Sequence, residues 1–192
     1  MRFKNWKTGL LLTTVLLTVL TAPAAFAGNY ERTYTSQAQF GLVNHRLQVS
    51  IPQSLYDYYH ATTIKLKNDD QYATLVTPAA FKPVADILRN LTDNNPRKDE
   101  EFANTVLALV HQIPYEITPA KYPIETMVEN QGKCDTLSLL AASIMKAGQL
   151  DVVLLYFKDV HHMNVGVYLP YEPHTTWWLS LIHISEPTRL RR

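Results

Sequence analysis

Cysteine is almost missing from this chain of 192 residues: Cys134 is the only one, so the fold cannot rest on a disulfide framework. Glycine is scarce too, six residues against 11 prolines and without a fixed period, which excludes collagen-like and glycine-rich low-complexity chains. Neither sign of charge dominates. Lys and Arg number 18 against 17 Asp and Glu; with the three basic residues of 1–27 and the net two of 180–192 set aside, the body carries about −4. The basic footprint of a nucleic-acid binder is therefore lacking. What is present is a composition 46% hydrophobic and 18% charged, that of a folded globular protein. The body, residues 28–179, has the length of one domain with a core of its own.

Both ends read as foreign to that domain. Arg2, Lys4 and Lys7 precede an apolar run from residue 9 to 20, followed by Ala24, Ala25, Phe26 and Ala27 before Gly28. This is the pattern of a secretory signal peptide cut after Ala27. The run is shorter than the roughly 20 apolar residues of a membrane-crossing helix, so stable membrane insertion is not expected once the leader is removed. No cysteine follows the cut, which argues against a lipid anchor. The mature chain is expected to be exported, to the periplasm or beyond. At the other end, residues 180–192 follow Trp177 and Trp178 without a turn signal and close on Arg191 and Arg192. They resemble translated adaptor sequence, under which residues from about 180 are expected to be non-native and the domain an N-terminal fragment; the alternative is a genuine basic tail.

Along the body, residues 33–50 read as a hairpin: Leu47, Val49 and Ile51 alternate with polar residues, residues 41–44 supply the turn, and Pro52 ends it. A tyrosine-rich stretch holding Tyr56, Tyr58 and Tyr59 then leads into irregular chain. Phe81, Val84, Ile87, Leu88 and Leu91 fall at helical spacing after Pro78, and a second helix opens at Asp99 and Glu100, with Phe102, Val106, Leu109, Val110 and Ile113 as its apolar stripe. Residues 122–133 read as a loop. Cys134 then opens a third helix, with Leu137, Leu140, Ala141, Ile144 and Met145 inward and Gly148 as its stop. Residues 152–157 and 163–169 are strands. Helices followed by a helix feeding a sheet define an α+β domain.

A sole cysteine in the first turn of a helix is chemically informative. The unpaired amides and the positive end of the dipole favour a thiolate, and with a histidine beside it such a thiol drops from about 8.5 into the range of about 3.5 to 7.5. His161 and His162 follow 27 and 28 residues later, between the two strands. Helix, turn, strand, turn, strand is a path short enough to bring the second strand back beside the helix start. Neighbouring strand residues point to opposite faces, so one of the two histidines can reach the sulfur, and parity alone leaves both open. A zinc site built from Cys134, His161 and His162 would fall short of the usual four ligands, so no metal and no other cofactor is expected.

Gly132, Lys133, Cys134, Asp135, Thr136 and Leu137, preceded by Tyr122, Pro123 and Ile124 and followed by His162, Met163, Asn164, Val165, Gly166 and Val167, resemble the bacterial transglutaminase-like superfamily, in its papain-like cysteine proteinase branch. The likeness reaches back over residues 106–115 and, more loosely, to the hairpin and the tyrosine-rich stretch. It implies a papain/transglutaminase-like core in which the helix bearing the cysteine packs on an antiparallel sheet. It also implies Cys134 as nucleophile and His162 as general base, acting on a peptide or protein substrate by acyl transfer or hydrolysis. The oxyanion would be held by the amide of Cys134 and one upstream donor among Gln131, Asn130 and Tyr122. Asp135 is expected to charge the helix start and to turn away from the sulfur. The family's third residue, an acid or amide that orients the histidine, belongs on the following strand. A turn centred near Glu172 sets residues 182–184 opposite His162, and none of these is acidic. Without a third residue, the same fold could serve as an inactive binding or scaffolding module. Tyr56, Tyr58, Tyr59, Trp177 and Trp178 could line a groove, although packing is the plainer role for them.

Overall fold

The computed structural model describes residues 28–38 and 43–172. Residues 1–27, read above as a leader, residues 39–42, Trp177, Trp178, residues 182–184 and the remainder of 180–192 lie outside the described residues. Strands β1 (Asn29–Ala38) and β2 (Val43–Pro52) pair antiparallel, with Tyr34 opposite Leu47 and Arg32 opposite Val49. The hairpin is thus longer than the alternation predicts, and Asn44, expected in the turn, is paired with Gln37. Tyr34, Leu47, Val49 and Ile51 face inward and are buried.

The tyrosine-rich stretch is a helix, α1 (Gln53–His60). It buries no residue fully, and Leu55, Tyr56 and Tyr59 only lean on the core. Its apolar periodicity is accordingly faint in the sequence. Short 3-10 turns at Asp69–Leu75 and Pro78–Phe81 lead into α2 (Lys82–Thr92). Phe81, Val84 and Leu88 are buried as expected, but Ile87 is 46% exposed and Ala85 takes the inward position. The buried stripe runs through 81, 84, 85, 88 and 92, and position 87 falls beside it. Helix α3 (Lys98–Val110) carries Asp99, Glu100 and Glu101 in its first turn and buries Phe102, Val106, Leu109 and Val110, with Ile113 just beyond.

Residues 122–133 are not all loop: α4 (Pro123–Glu129) occupies most of them. Its local logic is complete, with Pro123 at the first helical position and Glu125 accepting from the Tyr122 amide at 2.8 Å. At the far end Asn130 is left-handed at φ 54°. Seven residues without a repeat of the apolar period give the pattern too little length to be read.

Helix α5 (Cys134–Ala147) is the centre of the molecule. It touches α2, α3, α4 and both strands of the second sheet, and of its 14 residues only Lys146 is exposed. Its C-terminus is fixed by Arg89, whose Nε donates to the Gly148 carbonyl at 2.7 Å while the guanidinium lies 4.1 Å over the Phe102 ring. Strands β3 (Val152–Phe157) and β4 (His162–Val167) pair antiparallel, and their inward residues pack on α5. Among the described residues the two sheets have two strands each, kept apart in sequence by the helices, an α+β arrangement. No helix among them is long and apolar enough to cross a membrane.

Candidate functional site

The chain reaches Cys134 through a pinned connection. The Glu116 amide donates to the Gly132 carbonyl at 2.8 Å, and the Gly132 amide donates to Pro114 at 3.2 Å. Glycine is required at 132 by space: a Cβ there would stand 2.5 Å from Thr136 Oγ1 and 3.1 Å from Thr126 Cγ2. The Lys133 amide donates to Thr136 Oγ1 at 2.9 Å, and from the next residue the chain is helical. Cys134 therefore occupies the first helical position, where amides are unpaired and the dipole is positive. It is 8% exposed.

Asp135, one residue on, is buried and engaged elsewhere. Its Oδ1 accepts from the Thr136 amide at 2.7 Å, and its Oδ2 accepts from Tyr72 Oη at 3.3 Å and lies 3.4 Å from Lys133 Nζ. Burial, and then the Asp135 carboxylate, push the Tyr72 phenol up to about 12. Tyr72 stacks on Tyr156 of β3, with ring centres 6.2 Å apart. Beside these two rings, a cleft of about 370 Å³ runs along α5 past Asp69, Ala142, Leu154 and Met163.

Strand β4 closes on the helix start. Ser138 Oγ donates to the Met163 carbonyl at 2.9 Å, and the Cys134 sulfur lies 3.7 Å from the His161 carbonyl. His161 is left-handed, at φ 48°, and makes the corner into β4. Its Nδ1 stands 3.5 Å from Tyr156 Oη. Met163 and Val165 are buried, while His162, Asn164 and Gly166 share the other face, opposite Phe157, Leu155 and Val153 of β3. The His162 ring stacks on Phe157 at 6.3 Å, and its Nε2 is 2.7 Å from Asn164 Oδ1. So the sulfur meets the main chain of His161, while the imidazole of His162 is held by a cross-strand ring and by the amide two residues along.

The upstream donors have separate positions. Gln131 is half-buried one residue before Gly132, and Asn130 forms the left-handed end of α4. Tyr122 starts α4, with its ring 5.0 Å from Tyr59 and its phenol raised by burial. Glu172 is exposed, and its carbonyl accepts from Arg97 at 2.6 Å. Tyr56 and Tyr59 pack within the fold, whereas Tyr58 is 66% exposed.

Two features escape sequence reasoning. Asn164 is the first: it is 1% exposed, and its Nδ2 has no hydrogen-bond partner among the described residues. The alternation of β4 carries a signal for its pairing with His162, but its burial depends on packing. The second is a cluster at α1 and α4. His60 Nδ1 lies 3.1 Å from Glu125 Oε1, and Glu129 takes Tyr56 Oη at 3.2 Å and Lys121 Nζ at 2.8 Å. Among the described residues, metal-ligating side chains converge at His60, Glu125 and Glu129, and not at Cys134, His161 and His162. Lys121 already neutralises one of those carboxylates. No protein-family model, no curated protein and no solved structure matches this chain.

Proposed function

We propose that this chain is an exported cysteine enzyme of the transglutaminase-like, papain-like kind, acting on peptide or protein amides through a thioester. The observation that carries the reading is the position of the sole thiol. It is the first residue of the central helix, 3.7 Å from the carbonyl of the residue that precedes His162.

In the proposed cycle His162 takes the proton of the Cys134 thiol, and the sulfur attacks the substrate carbonyl carbon. The oxyanion is met by amides at the start of α5, with Gln131 as the nearest upstream side chain in sequence. The C–N bond breaks, the amine leaves with the proton held by His162, and the acyl group remains on sulfur. Water or a second amine then resolves the thioester, giving hydrolysis or transamidation.

The test is alkylation of the full chain by iodoacetamide at pH 6, followed by mass spectrometry. Cys134 should react faster in the folded chain than in the urea-unfolded chain, and a His162→Gln variant should lose that advantage. A folded-state rate at or below the unfolded one would leave the fold as a binding module with an inert buried thiol.

A further inference from the structure

We infer that His60, Glu125 and Glu129 form a zinc site that clips α1 to α4. The site stands apart from the chemistry of Cys134 and His162, and either can fail without the other.

His60 is the last residue of α1, and Glu125 and Glu129 stand one turn apart on α4. His60 Nδ1 and one oxygen of each glutamate all lie within 4.8 Å of one another, with Nδ1 at 3.1 Å from Glu125 Oε1. Ligands about 2.0–2.2 Å from a tetrahedral zinc stand roughly 3.3–3.6 Å apart, so small side-chain rotations close the set. His60 has room to make them, since its side chain is 60% exposed.

Both carboxylates are held from behind. Glu125 Oε2 accepts from the Tyr122 amide at 2.8 Å, and Glu129 Oε2 accepts from Nζ of the buried Lys121 at 2.8 Å. The other oxygens face α1: Glu125 Oε1 meets His60, and Glu129 Oε1 accepts from Tyr56 Oη at 3.2 Å. Each glutamate thus has one oxygen fixed by the residues just before α4 and the other presented to α1. Outer contacts of this kind orient the ligands of bound metals.

Charge and donor type select the ion. Two carboxylates one turn apart on a helix repel, and Lys121 offsets only one of them. A cation between α1 and α4 completes the balance. An imidazole nitrogen among the oxygens favours zinc over calcium or magnesium, which take oxygen ligands. A carboxylate only accepts, so the hydrogen that Nδ1 directs at Glu125 passes to Nε2 or to solvent when the metal binds. The fourth position is left for water on the exposed side of His60. The fold has a use for such a clip. Helix α1 buries no residue fully, and an ion shared with α4 ties its last residue to a partner 65 positions away.

The experiment uses the full chain, stripped of metal with a chelator and titrated with zinc chloride against a chromophoric competitor. The parent should bind zinc in a one-to-one ratio, and zinc at roughly 100 times its Kd should raise the melting temperature by about 5 °C or more. Calcium at the same concentration should not. His60→Gln and Glu129→Gln should each weaken zinc binding by about tenfold or more, while Cys134→Ser should bind as the parent does. The exposure of His60 means that His60→Gln should keep the fold; if it does not, Glu129→Gln decides. Absence of zinc uptake, uptake unchanged in the ligand variants, uptake lost in Cys134→Ser, or equal stabilisation by calcium overturns the inference. Alkylation of Cys134 in the metal-free chain tests the acyl-transfer reading separately.

Discussion

Ser138 and Met163 join the helix that bears the thiol to the strand that bears the histidine. The serine hydroxyl donates to the methionine carbonyl at 2.9 Å in a fully buried position, one turn after Cys134 and one residue after His162. With the 3.7 Å approach of the sulfur to the His161 carbonyl, it fixes how far β4 can slide along α5.

Ser138→Ala removes that donor and leaves a buried carbonyl unsatisfied. It should cost about 1–3 kcal/mol in urea unfolding, with an unchanged m-value. It should also slow alkylation of Cys134, because the strand is freed against the helix while neither proposed reacting side chain is altered.

The two histidines separate cleanly. His161 holds a left-handed conformation that glycine adopts without strain, so His161→Gly should leave stability within about 1 kcal/mol of the parent. It should also leave thiol reactivity intact, while His162→Gln should leave the fold intact and lose the reactivity. Comparing melting temperature and alkylation rate for the two variants checks this. The reverse pattern would assign the base to His161.

Gly132→Ala should be severe for so small a change. The added methyl meets Thr136 Oγ1 at 2.5 Å, and Thr136 is the residue that takes the Lys133 amide at the start of α5. Overpacking of this kind costs about 1–3 kcal/mol. Because the strain falls at the turn that presents Cys134, the alkylation rate should drop with the melting temperature.

Tyr34→Phe should work in the opposite direction. The Tyr34 hydroxyl is buried without a partner among the described residues, and burial raises its phenol to about 12, opposed in part by the nearby Arg32 cation. Removing the hydroxyl should raise stability near neutral pH by about 1 kcal/mol. The pH effect has a definite sign. The folded chain keeps this phenol neutral while the unfolded chain ionises it near 10, so it takes nothing further from stability below pH 10, and stability falls between pH 10 and 12 as the unfolded chain ionises first. Denaturant titrations at pH 9, 11 and 12 should show a shallower alkaline decline in the variant. Some decline should persist, since Tyr56 and Tyr72 are also raised to about 12.

Much of the frame is legible from residue order. Cys134 after Gly132 and Lys133, with Gly148 at the far end, marks α5 to the residue, because both ends carry their own stop signals. The stripe of α3 is legible because five apolar residues repeat at one period. Helices α1 and α4 are not, for opposite reasons. The first buries almost nothing, and the second is held by a single proline, a capping glutamate and a left-handed asparagine over seven residues. Ile87 shows the limit of reading a stripe from hydrophobicity alone, since the smaller Ala85 wins the inward position against its neighbours. At the site, the nearness of Cys134 to the 161–162 corner follows from the short path between them. The pairing of His162 with Asn164 does not, because it depends on which face of β4 is covered.

Helix α5 is packed along most of its length, and Lys146 is the one exposed residue among its 14. A library randomised along this segment should therefore tolerate diversity at one site and almost nowhere else. Natural drift in the protein would have to be absorbed by the hairpin, by α1 and by the outer face of β3. The thiol is borne by the segment with the least room for substitution, so its place is set by packing and not by the exposed parts of the chain.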